Sequence, residues 1–493
     1  MSNQLNFLLD QALHYLRSGN LGSAELLLKQ IIKVKPNHSE ALRLFSVIYS
    51  QKGENLIALE TIQNAILADK RNGIAYSNQG NIQLNLGMIL DAIASYEKAI
   101  QLAPNYAEAY SNLGNAFQEL GEISKAIELY KKAISLDGHN PEFFCNLGNA
   151  YWKLDLIEDS RKSYESTITL APSHVNALHN LAHLDLRKFN FMDGWLRYEF
   201  RWHITEDKPI ALNTSKPRWD GLPKNNRLFI WAEQGIGDQI LHGSMLRDLE
   251  NFPQTKIISV DKKLVSIFKR MLPTFQVVDK SEEFPDTLYD EQIPIGSIGQ
   301  YLRPNLQSFN HPNSGYLPSL DEGSLDLKLS KYFGGSINCG ISWKSNRAKL
   351  GLDKSISLDE LAPILKISAL NFINLQYGDV KNEIVTVNSQ LGTSIQIVEE
   401  IDLFEDIVGL QSMIKACDIV ITTSNTTAHL AGMSGKETLL FLPIGNSRFW
   451  YWHDIDGVSL WYPSIRVFKQ ETRGDWSKPI EAVATYLENR FAI

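Results

Sequence analysis

Gly19, Gly53, Gly87 and Gly121 stand 34 residues apart, and Ala24, Ala58, Ala92 and Ala126 follow them at a constant offset of five. A recurrence of this length confines a chain to architectures in which one supersecondary unit stacks on copies of itself. Pro36, Pro104 and Pro172 fall on the same lattice, two periods apart. Blocks beginning near residues 5, 39, 73, 107, 141 and 175 give six units that end near residue 208.

Each feature of the block has a local cause. From Ala107 onward, Tyr110, Leu113, Gly114 and Phe117 recur at helical spacing and share one face. Gly121 follows Leu120 where that helix must stop and turn. Ile123, Ala126, Ile127, Tyr130 and Ala133 then form the apolar stripe of a second helix, and the small residues Gly114 and Ala126 let the two helices approach. One hairpin cannot bury its own apolar face, whereas a stack of hairpins can. This unit resembles the tetratricopeptide repeat family over roughly the first 200 residues. Departures are Lys70 and Gly138 in the proline position, Asp155 at a turn glycine, and Gly194 in the alanine slot of a final unit that reads as a modified cap.

A polar column runs through the same lattice: Asn78, Asn112, Asn146 and Asn180. An amide both donates and accepts, so such a ladder either bonds within and between neighbouring hairpins or grips an extended peptide backbone. The second reading is preferred. It matches the resemblance of the array to the repeat region of eukaryotic protein O-GlcNAc transferase, which implies an acceptor protein or peptide as partner.

Composition narrows the function classes. A formal net charge of −8 with no basic run argues against a general nucleic-acid binder. Cys145, Cys339 and Cys417 are far apart and odd in number, which argues against a disulfide framework and fits a reducing compartment. The N-terminus does not read as a signal peptide, and no stretch approaches the roughly 20 apolar residues needed to span a bilayer. A cytoplasmic protein is expected.

After residue 208 the pattern changes. A connector rich in proline and polar residues (Thr205–Asn226) precedes β-rich runs that alternate with helical stretches, the signature of parallel strands with crossover helices. The fold class expected is α plus α/β: a repeat superhelix over 1–208, a linker over 209–226, and Rossmann-like lobes over 227–330 and 331–493, the last helix crossing back to the first lobe.

Two segments carry chemistry. Glu233–Gln–Gly235–Ile–Gly237–Asp238 lies at the end of a strand and opens a helix; Asp238 reads as a helix cap, a catalytic carboxylate, or both. It fails as a dinucleotide fingerprint. The run Thr422–Thr427 follows the strand DIVIT and leads into a helix carrying His429. Its hydroxyls and free N–H groups, from Ser424, Asn425, Thr426 and Thr427, make an anion site. Gln376 and Tyr377 end a strand and are expected to point into the same cleft.

With the ordered landmarks WAEQGIGDQI, GISWKSN, INLQYG, DIVITTSNTTAHLAG and WYPSIRVFKQETRGDW, residues 217–478 resemble bacterial GT-B glycosyltransferases related to the heptosyltransferases. That resemblance implies a nucleotide-diphosphate sugar held by the C-terminal lobe as substrate, with no cofactor, and an acceptor facing the N-terminal lobe. Ser424 departs from it, since relatives more often carry aspartate there. The mechanism expected is inverting displacement. Asp238 serves as base, with His242 as its rival one turn on. The helix start at Ser424–Thr427 and either Lys344 or Lys354 stabilise the diphosphate. Asp402 and Asp406 are weaker sugar or ribose contacts. No metal is expected, and Asp454–Ile455–Asp456 is read as a chance match to a metal motif. The competing reading is a non-catalytic repeat scaffold with a degenerate nucleotide-binding domain.

Overall fold

A computed structural model describes residues 2–205, 208–309, 315–317, 331–334, 337–345 and 351–492. The chain divides into two compact units, Met1–His174 and Val175–Ile493.

The first unit is a run of helical hairpins: α1 (Ser2–Arg17), α2 (Leu21–Val34), α3 (Ser39–Gln51), α4 (Asn55–Ala68), α5 (Gly73–Asn85), α6 (Ile89–Leu102), α7 (Ala107–Glu119), α8 (Ile123–Leu136), α9 (Pro141–Lys153) and α10 (Ile157–Leu170). The lattice glycines take φ of +75° to +86°, as the turn between the two helices requires. Asp155, at φ 60°, adopts the same left-handed backbone without being glycine.

Packing within repeats three to five rests on a recurring triad. A Cβ on Gly80, Gly114 or Gly148 would come within 2.5–2.7 Å of the ring of Tyr96, Tyr130 or Tyr164. Those buried phenols donate to the side-chain oxygens of Asn81, Asn115 and Asn149 at 2.7, 2.7 and 2.6 Å. Glycine admits the ring, and asparagine satisfies the hydroxyl that the ring carries into the core.

In the second unit, α11 (Val175–Arg187) and α12 (Phe191–Tyr198) keep the repeat lattice, with Phe189 at φ 63° in the turn position. The hairpin is built into the α/β half. Trp195 lies against Gly299, where a Cβ would sit 2.3 Å from its ring, and its indole N–H donates to the Arg303 carbonyl at 2.8 Å.

One parallel sheet contains β1 (Arg227–Trp231), β2 (Thr255–Val260), β3 (Gln276–Asp279) and β4 (Glu291–Pro294) in the order β3-β2-β1-β4. The other has the order β10-β11-β12-β9-β8-β5-β6-β7, formed by β5 (Ile337–Ser342), β6 (Leu370–Asn374), β7 (Ile395–Gln396), β8 (Ile419–Thr423), β9 (Thr438–Leu442), β10 (Asp454–Ile455), β11 (Val458–Ser459) and β12 (Ile465–Lys469). Its parallel part runs 3-2-1-4-5-6 when β5, β6, β7, β8, β9 and β12 are counted from one, the order of a doubly wound sheet. In the first sheet the connection reverses between β1 and β4, and in the second between β5 and β8.

One expectation is corrected. The final helix, Ser477–Phe491, does not reach back to the first sheet. Its Ile480, Val483 and Leu487 join Trp343, Leu361, Phe441 and Trp476 in the core beside the second sheet. The Asp454–Asp456 motif is a hairpin turn between β10 and β11, with Asp456 at φ 51° and Gly457 at φ 78°, the backbone that a two-residue Asp-Gly turn adopts. The Asp454 carboxylate is held by Arg448 at 3.2 Å and Lys469 at 2.5 Å.

Candidate functional site

The carboxyl end of β1 runs through Glu233 into helix α13 (Ile236–Gly243), and that of β8 runs through Ser424 into the helix Thr426–Met433. The two helix starts meet. A Cβ on Gly237 would lie 3.0 Å from Cδ2 and 3.4 Å from Nε2 of His429, so the absence of a side chain there sets the distance between them. Half-buried Asp238 follows directly, in the first turn of α13.

Beneath this junction lies a charged network. Glu233, whose side chain is fully buried, accepts from Arg201 at 2.9 Å and from the Gly296 N–H at 3.1 Å. Arg201 also donates to Glu199 (2.7 Å) and Ser297 (2.6 Å), and its guanidinium lies over the rings of Tyr198 and Trp202. The segment that follows the last hairpin is thereby pinned at the β1–β4 reversal.

On the facing side, most polar groups of the Thr422–Thr427 run hold the loop itself. Asn425 caps the helix by accepting from the Ala428 N–H at 3.3 Å, while its amide donates to Ser342 Oγ at 2.8 Å. Ser424 Oγ accepts from the Trp452 indole at 2.9 Å, and the Thr427 hydroxyl donates to the Leu375 carbonyl at 3.5 Å. Thr426 is the half-buried member. Among the described residues, the Thr426 and Thr427 N–H groups have no acceptor, and they start the helix with its positive dipole end.

Gln376 is a loop organiser. Its side-chain oxygen accepts from Ser342 Oγ and from the N–H groups of Trp343 and Lys344 at 2.9, 3.0 and 2.7 Å, and its amide donates to the Tyr377 carbonyl. Its side-chain oxygen is thus taken up by the loop, while the residue still lines the cleft beside Tyr377 with one amide N–H to spare. That cleft, of about 310 Å³, is lined also by Gly378, Asp379, Val398, Asp402 and Phe404. Asp402 spends one oxygen on the N–H groups of Phe404 and Glu405, and Asp406 caps the helix Ile407–Ala416 through the Gly409 N–H.

The two lysines separate. Lys344 pairs with Glu383. Lys354 is buried with its ammonium 3.4 Å from the centre of the Phe449 ring, and its charge is felt at His429. His429 is walled by Tyr451, Trp452 and Tyr462; burial, then Lys354 and His242, push its pKa down to about 3. His242 lies in the core between Trp195 and Trp450, 1% exposed, with burial holding its pKa at about 3. Its place in the core, between Trp195 and Trp450, counts against the expectation that it relays or replaces the Asp238 carboxylate. The residues Trp450, Tyr451 and Trp452 are buried packing.

Sequence reasoning missed two tyrosines whose surroundings include the Asp238 charge, Tyr198 and Tyr462. Tyr198 carried a signal: it continues the column Tyr96, Tyr130, Tyr164. In this sixth hairpin His183 replaces the asparagine, and the Tyr198 hydroxyl accepts from Gln234 at 3.4 Å. Tyr462 sits on no lattice.

In the first unit, Asn112 and Asn146 donate to Ser77 and Ser111 of the preceding hairpin, each at 3.3 Å. The ladder therefore does part of its bonding between hairpins, the reading that was not preferred. At Asn78 the residue 35 positions earlier is Arg43 rather than serine, and its buried amide nitrogen has no partner. Asn180 is half-buried on α11 of the second unit. Among the described residues no three His, Cys, Asp or Glu side chains gather as metal ligands, and no helix is long and apolar enough to cross a membrane.

Comparison with known proteins agrees with the repeat reading. Residues 89–121 and 114–155 match the family described as TPR repeat, and 141–174 the one described as Tetratricopeptide repeat. Protein FlbA of Caulobacter vibrioides is 29% identical over 316 residues, 60% of this chain and 52% of that protein, so the chain spans about half the length of this curated relative. Solved structures with likeness include a thermophilic TPR protein of Thermus thermophilus (21% identity, 37% of this chain, 99% of that one, TM-score 0.35). PilF of Pseudomonas aeruginosa (18%, 41% and 90%, TM-score 0.36) and YrrB, described as a TPR protein with an unusual peptide-binding site (20%, 35% and 90%, TM-score 0.29), are others. The chain carries tetratricopeptide repeats in its N-terminal part, followed by an α/β region with one parallel and one mixed sheet.

Proposed function

We propose that the second unit is a glycosyltransferase of GT-B architecture that moves a sugar from a nucleotide-diphosphate donor to a hydroxyl acceptor, and that the repeats recruit a protein or peptide bearing that hydroxyl. The observation that carries this reading is the meeting of two helix starts, one with Asp238 and the other with Thr426, Thr427 and His429, at the carboxyl ends of β1 and β8. Doubly wound sheets bind ligands at such ends, next to the reversal of strand order.

In this reading the acceptor oxygen attacks the anomeric carbon as the bond to the diphosphate breaks, with inversion. Asp238 takes the acceptor proton, and the bonding electrons leave with the diphosphate. The N–H groups of Thr426 and Thr427, the helix dipole and Lys354 meet the charge that develops there. Lys354, whose charge acts on His429 in the first turn of that helix, is preferred over Lys344, which pairs with Glu383. The cleft beside Tyr377 and Phe404 has room for the nucleoside.

A panel of nucleotide sugars titrated against the protein, followed by transfer or hydrolysis assays on each binder, tests the reading. Asp238→Asn should keep donor affinity within about threefold while lowering turnover by roughly 10²–10⁴. Near-normal transfer by that variant would remove Asp238 as the base. Failure to bind any nucleotide would instead support the scaffold reading.

A further inference from the structure

His429 and Tyr462 are held in contact by two close approaches of backbone to ring. One turn after His429, Gly432 gives the Tyr462 ring its seat, since a Cβ there would be 2.4 Å from the ring. The phenol oxygen then lies 3.1 Å from Nδ1 of His429. On the opposite edge of the imidazole, Cδ2 and Nε2 face Gly237, in the turn that leads to Asp238. Trp452, at a ring-centre distance of 4.7 Å and 30° between planes, leaves the imidazole little freedom to turn.

From this geometry we infer that Tyr462 is a positioning residue: its hydroxyl donates to Nδ1 of His429, which fixes the tautomer with the proton on Nε2 and presents a neutral donor at the junction of the two helix starts. Burial supports both halves of the arrangement. It keeps the imidazole uncharged, with a pKa of about 3, and raises that of the Tyr462 phenol, so the phenol keeps the proton that it donates. The inference rests on the transferase reading for its use. As the carbon–oxygen bond to the diphosphate breaks, Nε2–H donates a hydrogen bond to the departing phosphate oxygen and keeps its proton, while the acceptor proton goes to Asp238. A neutral donor avoids an imidazolium beside buried Lys354.

The test begins with the full-length protein labelled with ¹⁵N-histidine, in which two-bond nitrogen–proton correlations report each tautomer directly. The His429 signals are identified by their loss in His429→Gln. The expected result is protonated Nε2 and bare Nδ1, with the pattern moving toward Nδ1–H in Tyr462→Phe. A native Nδ1–H tautomer, or a pattern unchanged in Tyr462→Phe, would overturn the inference whether or not the protein transfers sugar.

Kinetics supply the second readout. Tyr462→Phe should lower kcat roughly tenfold, the worth of about one hydrogen bond, with little change in donor KM. His429→Gln, whose amide can reach the Nε2 position, should retain more turnover than His429→Asn, whose amide cannot. Equal loss in those two variants, with both folded by circular dichroism, also counts against the assignment. Absence of transfer by the wild type would defeat the functional reading and leave the tautomer to be decided by the spectra.

Discussion

A methyl group added at Gly121 would meet nothing within 4 Å, yet the residue's φ of +86° is one that L side chains rarely adopt. Gly121→Ala should therefore cost about 1 kcal/mol through backbone strain alone, read as a lower midpoint in urea unfolding followed by helical circular dichroism. At Gly237 the backbone is unconstrained and the space is not: its Cβ would press within 3.0 Å of His429. Gly237→Ala should separate the two helix starts by a few tenths of an ångström. Transfer should then fall by about ten- to a hundredfold, with global stability changed by less than about 1 kcal/mol. Full activity in that variant would mean that the approach of α13 to His429 plays no part in the chemistry. The first glycine is legible from its period, because a turn that recurs every 34 residues needs a left-handed residue at each recurrence. The second is legible only as part of a glycine-rich strand-to-helix turn; which ring it faces depends on a residue almost two hundred positions later.

The sixth hairpin marks how far an element can be read from its own sequence. Its lattice positions, its two helices and even its column tyrosine follow from the period, because helical spacing within a block is a local property. Its membership of the second unit is not local. It depends on Trp195 finding Gly299 and the Arg303 carbonyl, more than a hundred residues on, and on Arg201 finding Glu233 and Ser297. Strand β4 escaped the sequence reading for a related reason: EQIP has no apolar run, and its buried Glu291 is tolerated because Lys224 and Asn226 hold the carboxylate. Similarly, Gln376 just after β6 reads from sequence as a cleft residue, but the convergence of Ser342 Oγ and the Trp343 and Lys344 N–H groups on its side-chain oxygen is visible only in the fold. If α12 is a structural member of the α/β half, Trp195→Ala should lower the stability of that half by about 3–5 kcal/mol, as for a large buried aromatic ring. Near-ultraviolet circular dichroism during denaturation measures it, and a loss below about 1 kcal/mol would mean that the hairpin docks without contributing to the core.

At the scale of the molecule, the distribution of buried imidazoles gives the second unit its own response to acid. His242, His429 and His453 have pKa values pushed to about 3 and His179 to about 4, while His183 is also well lowered, in every case chiefly by burial. In the unfolded chain these rings titrate near 6.5. Below that pH the unfolded state binds protons that the folded state refuses, so this contribution is present in full above about pH 6.5 and is lost as pH falls toward 4. Each such histidine removes about 1.4 kcal/mol per pH unit in that window. Several together approach the whole stability of a typical domain, about 5–15 kcal/mol, within one or two units. Of the ten tryptophans only Trp152 precedes residue 175, so tryptophan fluorescence follows the second unit almost alone. Urea midpoints read by fluorescence should fall steeply between pH 7 and pH 5. In His453→Phe, where a phenyl ring replaces the imidazole packed against Phe189 and Phe191, the slope should be shallower by about one histidine's share. A fluorescence midpoint that stays level across this range would require those rings to be protonated in the folded state, and with them His429 at the junction of the two helix starts. A neutral donor at that junction and a fold that weakens in mild acid are two consequences of the same burial.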